Sequence, residues 1–521
     1  MARTSPKHPR SQTIASIKRA RTRRLAALAT RSYYLHRRKQ DEVMYNLICE
    51  EFMSLGGVYI KFLQGVLLRS KVMRKWHNPE KLKIFENLDS EPIDIGALLR
   101  SELPKSKLAQ FALIQPQPFA AGSFGQVYYA QLRNGQPVVI KVLRPMVREL
   151  LRYDLRLLTT FSKTFFLKMF KNMSVQLNDA MKDFSKATLR ETDYRHEAEF
   201  ADELYRGYKG HDGIVIPKTY IDLSTDNIIV QEYVDGISVA QLVRMKEQGV
   251  DPVQYVAETI GSDLLVQLET LGYELLMGIF TLPRIQGDPH PGNIRLMKNN
   301  KVGLIDFGIS AQAPTDKSAF FGLLDSYDKV FKGTHTANSL FEQGLKFFVS
   351  DLYRSLRKLG EYLGKNDNRN YLEEVSKLAE QTFIEATGSN IISADMNSNA
   401  NALMQVNKLV NKGNRFGLVM KLEATEVMRA VQTYTTLMTS LGVYQDVMGN
   451  ILSRAVHDIR ELQPDIASDE KDNIGIGDAL DTIMSWLERV ADRDPMLFRQ
   501  LADKIRMSKP QDLKQEGSKS A

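Results

Sequence analysis

The stretch QGDPHPGNIRLMKNNKVGLIDFG, residues 286–308, decides how the rest of this 521-residue sequence is interpreted. Its prolines and glycines predict a rigid, non-helical loop that presents Asp288 and Asn293 five residues apart. Two short apolar runs then flank Asn299-Asn300, which predicts a β-hairpin. Asp306 follows the second run directly, so an apolar strand ends in a carboxylate, an oxygen ligand of the kind that Mg²⁺ prefers.

A loop rich in small residues precedes a second predicted hairpin, upstream at residues 126–143. Small residues let backbone N–H groups approach a polyphosphate closely. The hairpin is predicted because Asn134-Gly135 joins two β-rich runs. Loops of this kind are common, so by itself this one indicates phosphate binding only weakly. Its residues, which we take as candidate nucleotide contacts, are Ala120, Ala121, Gly122, Ser123, Phe124, Gly125 and Gln126.

Lys141 lies within the apolar strand of that hairpin, where its ammonium group needs an anion. The alternative is a charge that protects an exposed strand edge. A lysine strand, then an Asp-x-x-x-x-Asn loop, then Asp-Phe-Gly thirteen residues after Asn293, is the order found in protein kinases. This order predicts an α+β, protein-kinase-like bilobal fold, with a small β-rich N-lobe, a large helical C-lobe and an N-terminal helical extension.

The charge of the chain is concentrated at its beginning. Residues 1–39 hold 12 of the 70 Lys and Arg residues and none of the 62 acids, so the remainder is mildly acidic and a nucleic-acid-binding fold is disfavoured. The basic segment fits a solvated arm, attachment to an anionic membrane surface or a mitochondrial transit peptide, with nucleic acid as a further option. The single cysteine, Cys49, excludes an intrachain disulfide and fits a reducing compartment. We therefore expect a cytoplasmic, peripheral membrane protein, or a mitochondrial one if residues 1–40 are a transit peptide.

The pattern along the chain predicts six segments. Helical periodicity dominates outside the two hairpins and two further predicted strands, at 214–216 and 228–234. The predicted segments are a basic tail (1–40), a helical extension (41–118), an N-lobe (119–236), a C-lobe with the Asp288 loop and Asp306 (237–330), a helical region (331–506) and a polar tail (507–521).

The sequence resembles the UbiB-like (AarF) atypical kinases, a family associated with ubiquinone (coenzyme Q) biosynthesis, over about residues 55–310. The resemblance rests on the alanine-rich loop at 119–126, on Ile-Lys-Val-Leu-Arg-Pro at 140–145 and on Gly-Asp-Pro-His-Pro-Gly-Asn at 287–293. A conventional kinase has His-Arg-Asp where this chain has Gln286-Gly287-Asp288. We therefore expect neither regulation by a phosphorylated activation loop nor docking of a protein substrate. Because prolines flank His290, we expect its side chain to pack the loop.

The resemblance implies ATP and Mg²⁺ as cofactors and a role for each matching residue. Lys141 would hold phosphates and pair with Glu197, Asp288 would be the catalytic acid–base group, and the backbone of Glu232 and Val234 would meet adenine. The expected metal ligands are Asn293 and Asp306. Lys61 and Gln64 would form a regulatory motif in the extension, with Glu191 as the partner of Lys61.

Three positions depart from the family pattern. Leu63 replaces a glycine of the extension motif, and Phe200 stands where an asparagine is usual. Gly122 replaces an alanine, which predicts a more flexible loop because glycine admits positive φ. None of these changes removes a predicted metal ligand or Lys141.

The predicted function is an atypical kinase or ATPase that acts on or near a lipid-soluble small molecule at a membrane surface, in isoprenoid-quinone or other lipid metabolism. Its partners would be ATP, an anionic membrane and that small molecule, and no nucleic acid is expected. One alternative is a nucleotide-sensing pseudokinase scaffold without turnover. Another is a small-molecule kinase of the aminoglycoside-phosphotransferase type.

Overall fold

The computed structural model describes residues 14–63, 93–122, 124–162, 181–335 except 183 and 187, a few residues between 343 and 355, 421–467, and 476–499 except 494 and 497. The chain divides into two compact units. We call them the N-terminal unit (Met1–Lys209, Ile216–Val234 and Asp306–Ile309) and the C-terminal unit (Gly210–Val215, Asp235–Ile305 and Ser310–Ala521).

Strands and helices are numbered along the chain. The strands are β1 (Phe111–Ile114), β2 (Ala120–Ala121), β3 (Gly125–Leu132), β4 (Pro137–Leu143), β5 (Ile214–Val215), β6 (Ile228–Glu232), β7 (Ile237–Ser238), β8 (Arg284–Gln286), β9 (Ile294–Leu296), β10 (Val302–Leu304) and β11 (Ser310–Gln312). The helices are α1 (Ile14–Arg37), α2 (Asp41–Leu55), α3 (Val58–Phe62), α4 (Ile95–Glu102), α5 (Lys105–Leu108), α6 (Val147–Phe161), α7 (Tyr194–Gly207), α8 (Val239–Glu247), α9 (Pro252–Ile260), α10 (Leu264–Thr281), α11 (Lys317–Phe331), α12 (Leu422–Leu441), α13 (Tyr444–Leu462), α14 (Pro464–Ala467) and α15 (Ile476–Arg493).

An antiparallel sheet in the order β1-β3-β4-β6, with β2 paired to β3, forms the β part of the N-terminal unit. The predicted hairpin is confirmed: β3 pairs with β4, and Gly135 in the turn has φ +85°. Side chains alternate between a buried and a half-buried face along both strands. The buried face, including Tyr128 and Ile140, packs with Leu99 of α4 in one hydrophobic cluster. The half-buried face carries Lys141.

The segment predicted as a basic tail contains helix α1, which belongs to the fold of the N-terminal unit. Leu25 and Leu28 are buried in the same hydrophobic cluster as α2, α3 and α6. Arg21 forms an ion pair with Asp154 of α6, and Arg24 pairs with Glu51 of α2 at 2.5 Å. The interpretation as a solvated arm is therefore wrong for residues 14–37, because specific apolar and ionic contacts hold the helix in place. Residues 1–13 lie outside the described part.

The C-terminal unit contains a four-stranded sheet in the order β5-β10-β9-β7 and a β8–β11 pair. The second predicted hairpin is confirmed: β9 and β10 flank a turn in which Asn299 and Asn300 have φ of +59° and +56°. Strands β7, β8 and β11 lie in segments that the sequence predicted as helical. They are only two or three residues long, too short to leave an alternating pattern in the sequence.

Helix α10 is the apolar core helix of the C-terminal unit, with contacts to α13, α12 and β8. Among the described helices it alone is long and apolar enough to span a bilayer, and 61% of its 18 residues are buried inside the protein. The core helix of a globular unit can be equally long and apolar, and the burial of α10 is typical of such a helix.

Candidate functional site

Lys141 is positioned by the register of the antiparallel sheet. It pairs with Val127 on β3 and Ile229 on β6, and the strand alternation directs its side chain to the half-buried face. Glu197 lies in the first turn of α7, a helix that begins where the Asp193 side chain accepts a hydrogen bond from the His196 N–H at 3.2 Å. Such an N-cap fixes the start of the helix and hence the position of Glu197.

The structure brings Lys141, Glu197 and Asp306 together within the N-terminal unit. The Lys141 Nζ lies 2.6 Å from Glu197 Oε1 and 3.2 Å from Asp306 Oδ2. The Glu197 residue is 2% exposed, whereas the side chain of Asp306 is 40% exposed. One ammonium group thus lies between a buried carboxylate and a more open one. The edge-strand explanation for Lys141 is wrong, because β4 lies between β3 and β6.

Lys141 and the two carboxylates stabilise one another's charges, whereas the two carboxylates repel each other. Burial alone would lower the pKa of Lys141, but the carboxylates of Asp306 and Glu197 hold that pKa well above its usual value. Burial raises the pKa of Glu197, and Lys141 opposes the increase. For Asp306, burial would raise the pKa, but the Lys141 charge and the Gly308 N–H outweigh it, so the pKa is lowered. Asp306 is therefore a carboxylate at neutral pH, which is the form that binds a divalent cation.

The turn that carries Asp306 is fixed by one hydrogen bond and one aromatic contact. The Gly308 N–H donates to Asp306 Oδ1 at 3.0 Å. Phe307 is fully buried, and its ring lies 6.4 Å from that of Phe200 in an edge-to-face arrangement. Phe200 is one of the three departures from the family pattern, and this contact gives it a packing role. Its spacing of three residues from Glu197 on α7 places the two on one helix face.

The alanine-rich loop is held in a closed hairpin. Ala120 and Ala121 pair with Val127 and Gln126 on β3, and the Gly122 N–H donates to the Gly125 carbonyl at 2.9 Å. Gly122 does not adopt positive φ, and an added Cβ there would meet only the Gly125 carbonyl, at 3.9 Å. The expectation that Gly122 uses the conformational freedom of glycine is therefore wrong. Ser123 lies outside the described residues.

Gly125 is the glycine of this loop that the packing requires. An added Cβ would lie 2.6 Å from both the Tyr194 hydroxyl and the Val142 carbonyl, well inside van der Waals contact. Gln126, the last residue of the predicted loop, is buried, and its side chain accepts a hydrogen bond from the Ile93 N–H at 3.0 Å. Gln126 therefore supports the sheet from its buried face and does not present its side chain on the face that carries Lys141.

The extension contacts both the loop and the predicted partner. Lys61 of α3 forms an ion pair with Glu191, and its Nζ lies 5.6 Å from the centre of the Phe124 ring. Phe124 is buried in the same hydrophobic cluster as α3. The Lys61 charge also contributes to the lowered pKa of Asp306. Gln64, the other predicted residue of this motif, lies outside the described residues.

The segment predicted to meet adenine begins at Glu232, the last residue of β6. The Glu232 N–H donates to the Lys218 carbonyl at 3.0 Å, so this donor is already used within the unit. Tyr233 is partly exposed, and its ring contacts Tyr129 and Phe119 at centroid distances of 5.6 and 6.4 Å. This aromatic group could not be predicted from the sequence. Aromatic residues on three separate segments leave no local pattern in the sequence.

The loop that carries Asp288 and Asn293 belongs to the C-terminal unit and is held by its own backbone. The Asn293 side-chain amide donates to the Asp288 carbonyl at 3.2 Å, and the Asn293 N–H donates to the His290 carbonyl at 2.8 Å. His290 Nδ1 accepts from the Gly292 N–H at 3.2 Å, which caps a short 3₁₀ turn. His290 is exposed and caps the turn, so it supports the loop by a hydrogen bond and not by the packing that the sequence predicted.

Residues 87–324 match the family described as the ABC1 atypical kinase-like domain. The match covers somewhat less than half of the 521 residues, and over this part the chain is similar to the ABC1 atypical kinase-like family. The predicted resemblance to UbiB-like kinases and the kinase-like α+β fold are thereby confirmed. The ABC1 domain includes Lys141, Glu197, Asp288, Asn293 and Asp306, whereas Lys61 and helix α1 precede it.

Several known proteins are similar to this chain. The Arabidopsis thaliana protein ACTIVITY OF BC1 COMPLEX KINASE 1, chloroplastic, is 30% identical over 50% of this chain and 36% of its own length. ACTIVITY OF BC1 COMPLEX KINASE 3, chloroplastic, from the same plant is 26% identical over 58% of this chain and 40% of its own length. A solved Mycobacterium tuberculosis protein in complex with erythromycin has a TM-score of 0.44 and 18% identity, over 84% of this chain and 98% of that chain. The match thus spans less than half the length of the two plant relatives.

Proposed function

We propose that the ABC1 domain binds MgATP and acts as an atypical kinase or ATPase. The observation that carries this proposal is the contact of one lysine with both a buried and a half-exposed carboxylate, Glu197 and Asp306. A purely structural ion pair would need a single acid. A lysine between two acids, one of them open to solvent, can exchange the open partner for a phosphate while the buried one keeps it in place.

Each residue of this group would have a distinct task. Lys141 would orient the phosphates and neutralise part of their charge. Glu197 would hold Lys141, since it is buried and fixed on α7. Asp306 fits Mg²⁺ because it is an ionised carboxylate with a backbone N–H on one oxygen, Oδ1. A bound Mg²⁺ would supply further neutralisation of phosphate charge.

The family resemblance implies a role for two residues of the Asp288 loop as well. The nitrogen of the Asn293 side-chain amide donates a hydrogen bond to the Asp288 carbonyl. The oxygen of the same Asn293 amide is therefore the atom suited to a cation. The Asp288 carboxylate would accept the proton of an acceptor hydroxyl or of water as the phosphoryl group is transferred. For adenine, the Glu232 carbonyl and the Val234 N–H would be the polar groups, because the Glu232 N–H is already bonded.

We further propose that the acceptor, or a regulator, is a lipid-soluble small molecule of isoprenoid-quinone or other lipid metabolism at a membrane surface. This proposal is supported by the family resemblance and by the basic segment at the beginning of the chain. The chloroplastic names of the plant relatives favour an organellar or membrane-associated location. The cytoplasmic location expected from the sequence stays a prediction. Cleavage of a transit peptide that included residues 14–37 would remove α1, whose Leu25 and Leu28 are buried in the hydrophobic cluster of the N-terminal unit.

Thermal unfolding with Mg²⁺ plus ATP, ADP or GTP tests the nucleotide proposal. A ligand at about 100 times its Kd stabilises the folded state by about 2.7 kcal/mol, which corresponds to a Tm rise of about 5–10 °C for a unit of about 200 residues. We expect an adenine-selective, Mg²⁺-dependent shift that is lost in Asp306→Asn. No shift with any nucleotide would contradict the proposal. A shift without turnover in the presence of vesicles would favour the nucleotide-sensing scaffold.

A further inference from the structure

Helix α1 has two faces that use their basic residues differently. On the inward face, Arg21 pairs with Asp154 and Arg24 with Glu51. Leu25, Leu28 and Ser32 of that face are buried. The inward arginines are therefore part of the packing of the N-terminal unit. They are fixed by acids of the protein itself and are not offered to a partner.

The outward face of α1 is basic and contains no acidic residue. Its exposed members include Arg19, Ala20, Arg23, Ala26, Ala27, Arg31, Tyr33, Tyr34 and Arg37, and the exposed Arg38 directly follows the helix. The first acid of the chain, Asp41, follows the helix. With 24 residues the helix is about 36 Å long. A straight positive strip of this length is therefore presented on one side of the N-terminal unit.

We infer that the outward face of α1 is the surface by which this protein docks on an anionic lipid bilayer. The inference rests on the membrane association included in the proposed function and assigns it to named residues. Charge complementarity is the first reason, because each Lys or Arg close to an anionic leaflet strengthens binding. The two tyrosines, 53% and 56% exposed, are the second reason, because aromatic rings with a polar tip favour the headgroup region.

A bilayer fits the charge distribution of the whole chain better than a nucleic acid does. Residues 40–521 hold 58 Lys and Arg against 62 Asp and Glu, so the body of the protein is mildly acidic. A planar surface can contact the outward face of α1 alone, and charges of the protein that lie more than about 10 Å from that surface are largely screened from it. A flexible or grooved polyanion would contact neighbouring acidic surface as well. The small side chains between the arginines also let the helix lie close to a flat surface.

The test is sedimentation with phosphatidylcholine vesicles, with and without phosphatidylserine, using the full chain. In the first variant Arg19, Arg23 and Arg31 are all replaced by Gln, a good helix former. The control carries the same change of charge at exposed sites of the C-terminal unit, with Arg244, Lys298 and Arg429 replaced by Gln. Thermal unfolding of both variants verifies that they are folded.

We expect wild type and control to bind phosphatidylserine vesicles, with binding that weakens as salt is added. The α1 variant should bind about 100-fold more weakly, about fivefold for each arginine removed. Equal binding by the two variants would overturn the assignment to α1 while leaving membrane association in place. No binding by the wild type would overturn membrane association itself, without affecting the nucleotide site. If the wild type bound duplex RNA and the α1 variant lost this binding while its vesicle binding was unchanged, the inference would be overturned in favour of a nucleic acid.

Discussion

The substitution Lys141→Met tests whether the buried carboxylate of Glu197 depends on this ammonium group. The Lys141 Nζ lies 2.6 Å from Glu197 Oε1 and 3.2 Å from Asp306 Oδ2. Methionine keeps a flexible apolar stem but removes the cation. A carboxylate that is 2% exposed then loses its counter-charge, and a second carboxylate stays close to it.

The expected loss of stability follows from the burial of the two partners. Removing one member of a buried ion pair costs about 3–5 kcal/mol. We expect the lower value, about 3 kcal/mol at about pH 8, because the Lys141 side chain is 24% exposed and water screens part of its charge. The free energy of unfolding is measured by urea denaturation, followed by circular dichroism.

The loss should depend on pH in a defined direction. Burial already raises the pKa of Glu197, and the charge of Lys141 lowers it. Removing Lys141 therefore raises the pKa of Glu197 further. A carboxyl group whose pKa is higher in the folded state is stabilising when protonated, so stability falls as pH rises from the unfolded pKa to the folded pKa. In this window the change is about 1.4 kcal/mol per pH unit. The variant should therefore lose less stability at about pH 5.5 than at about pH 8.

The control for this experiment is Lys209→Met, which removes an exposed lysine of the same unit. It should change stability by about 0.5 kcal/mol or less at either pH. An equal loss at both pH values in Lys141→Met, or a larger loss at the acidic one, would refute the reasoning. Either result would mean that Glu197 does not hold a charge that Lys141 stabilises.

Three further substitutions test the packing of the N-terminal unit. Gly125→Ala should destabilise the N-terminal unit by about 1–3 kcal/mol in urea denaturation, because the new Cβ would lie 2.6 Å from the Tyr194 hydroxyl. Gly122→Ala, where the nearest atom would be 3.9 Å away, should be neutral, and equal effects of the two would contradict the packing argument. Asp154→Ala should lower stability by about 3 kcal/mol, because it leaves Arg21 without its buried partner. A melting temperature unchanged in Asp154→Ala would show that α1 is not held by this contact.

The sequence was sufficient where a residue conflicts with its local surroundings. Lys141 in an apolar strand and Asp306 at the end of another are recognisable because charged groups are rare in such positions. Both hairpins were predictable because Asn134-Gly135 and Asn299-Asn300 favour tight turns. Glu197, by contrast, was reached only through the family resemblance, since an acid on an amphipathic helix is unremarkable by itself.

The features that the sequence did not predict depend on contacts between distant segments. Helix α1 seemed a solvated arm because its apolar positions are few. The acid that pairs with Arg21 is Asp154, which lies 133 residues away along the chain. The contact of Phe200 with Phe307 likewise joins two segments that share no local pattern. Such pairs become visible only when the fold brings the segments together.

Calorimetric titration of ATP into the wild type and into Lys141→Met, with and without Mg²⁺, measures directly whether Lys141 belongs to a nucleotide site. We expect that the wild type binds ATP, that Mg²⁺ strengthens the binding, and that the folded variant binds at least about tenfold more weakly, which is about 1.4 kcal/mol. Equal affinity in both proteins, or no measurable binding by the wild type, would contradict a nucleotide site built around Lys141, Glu197 and Asp306.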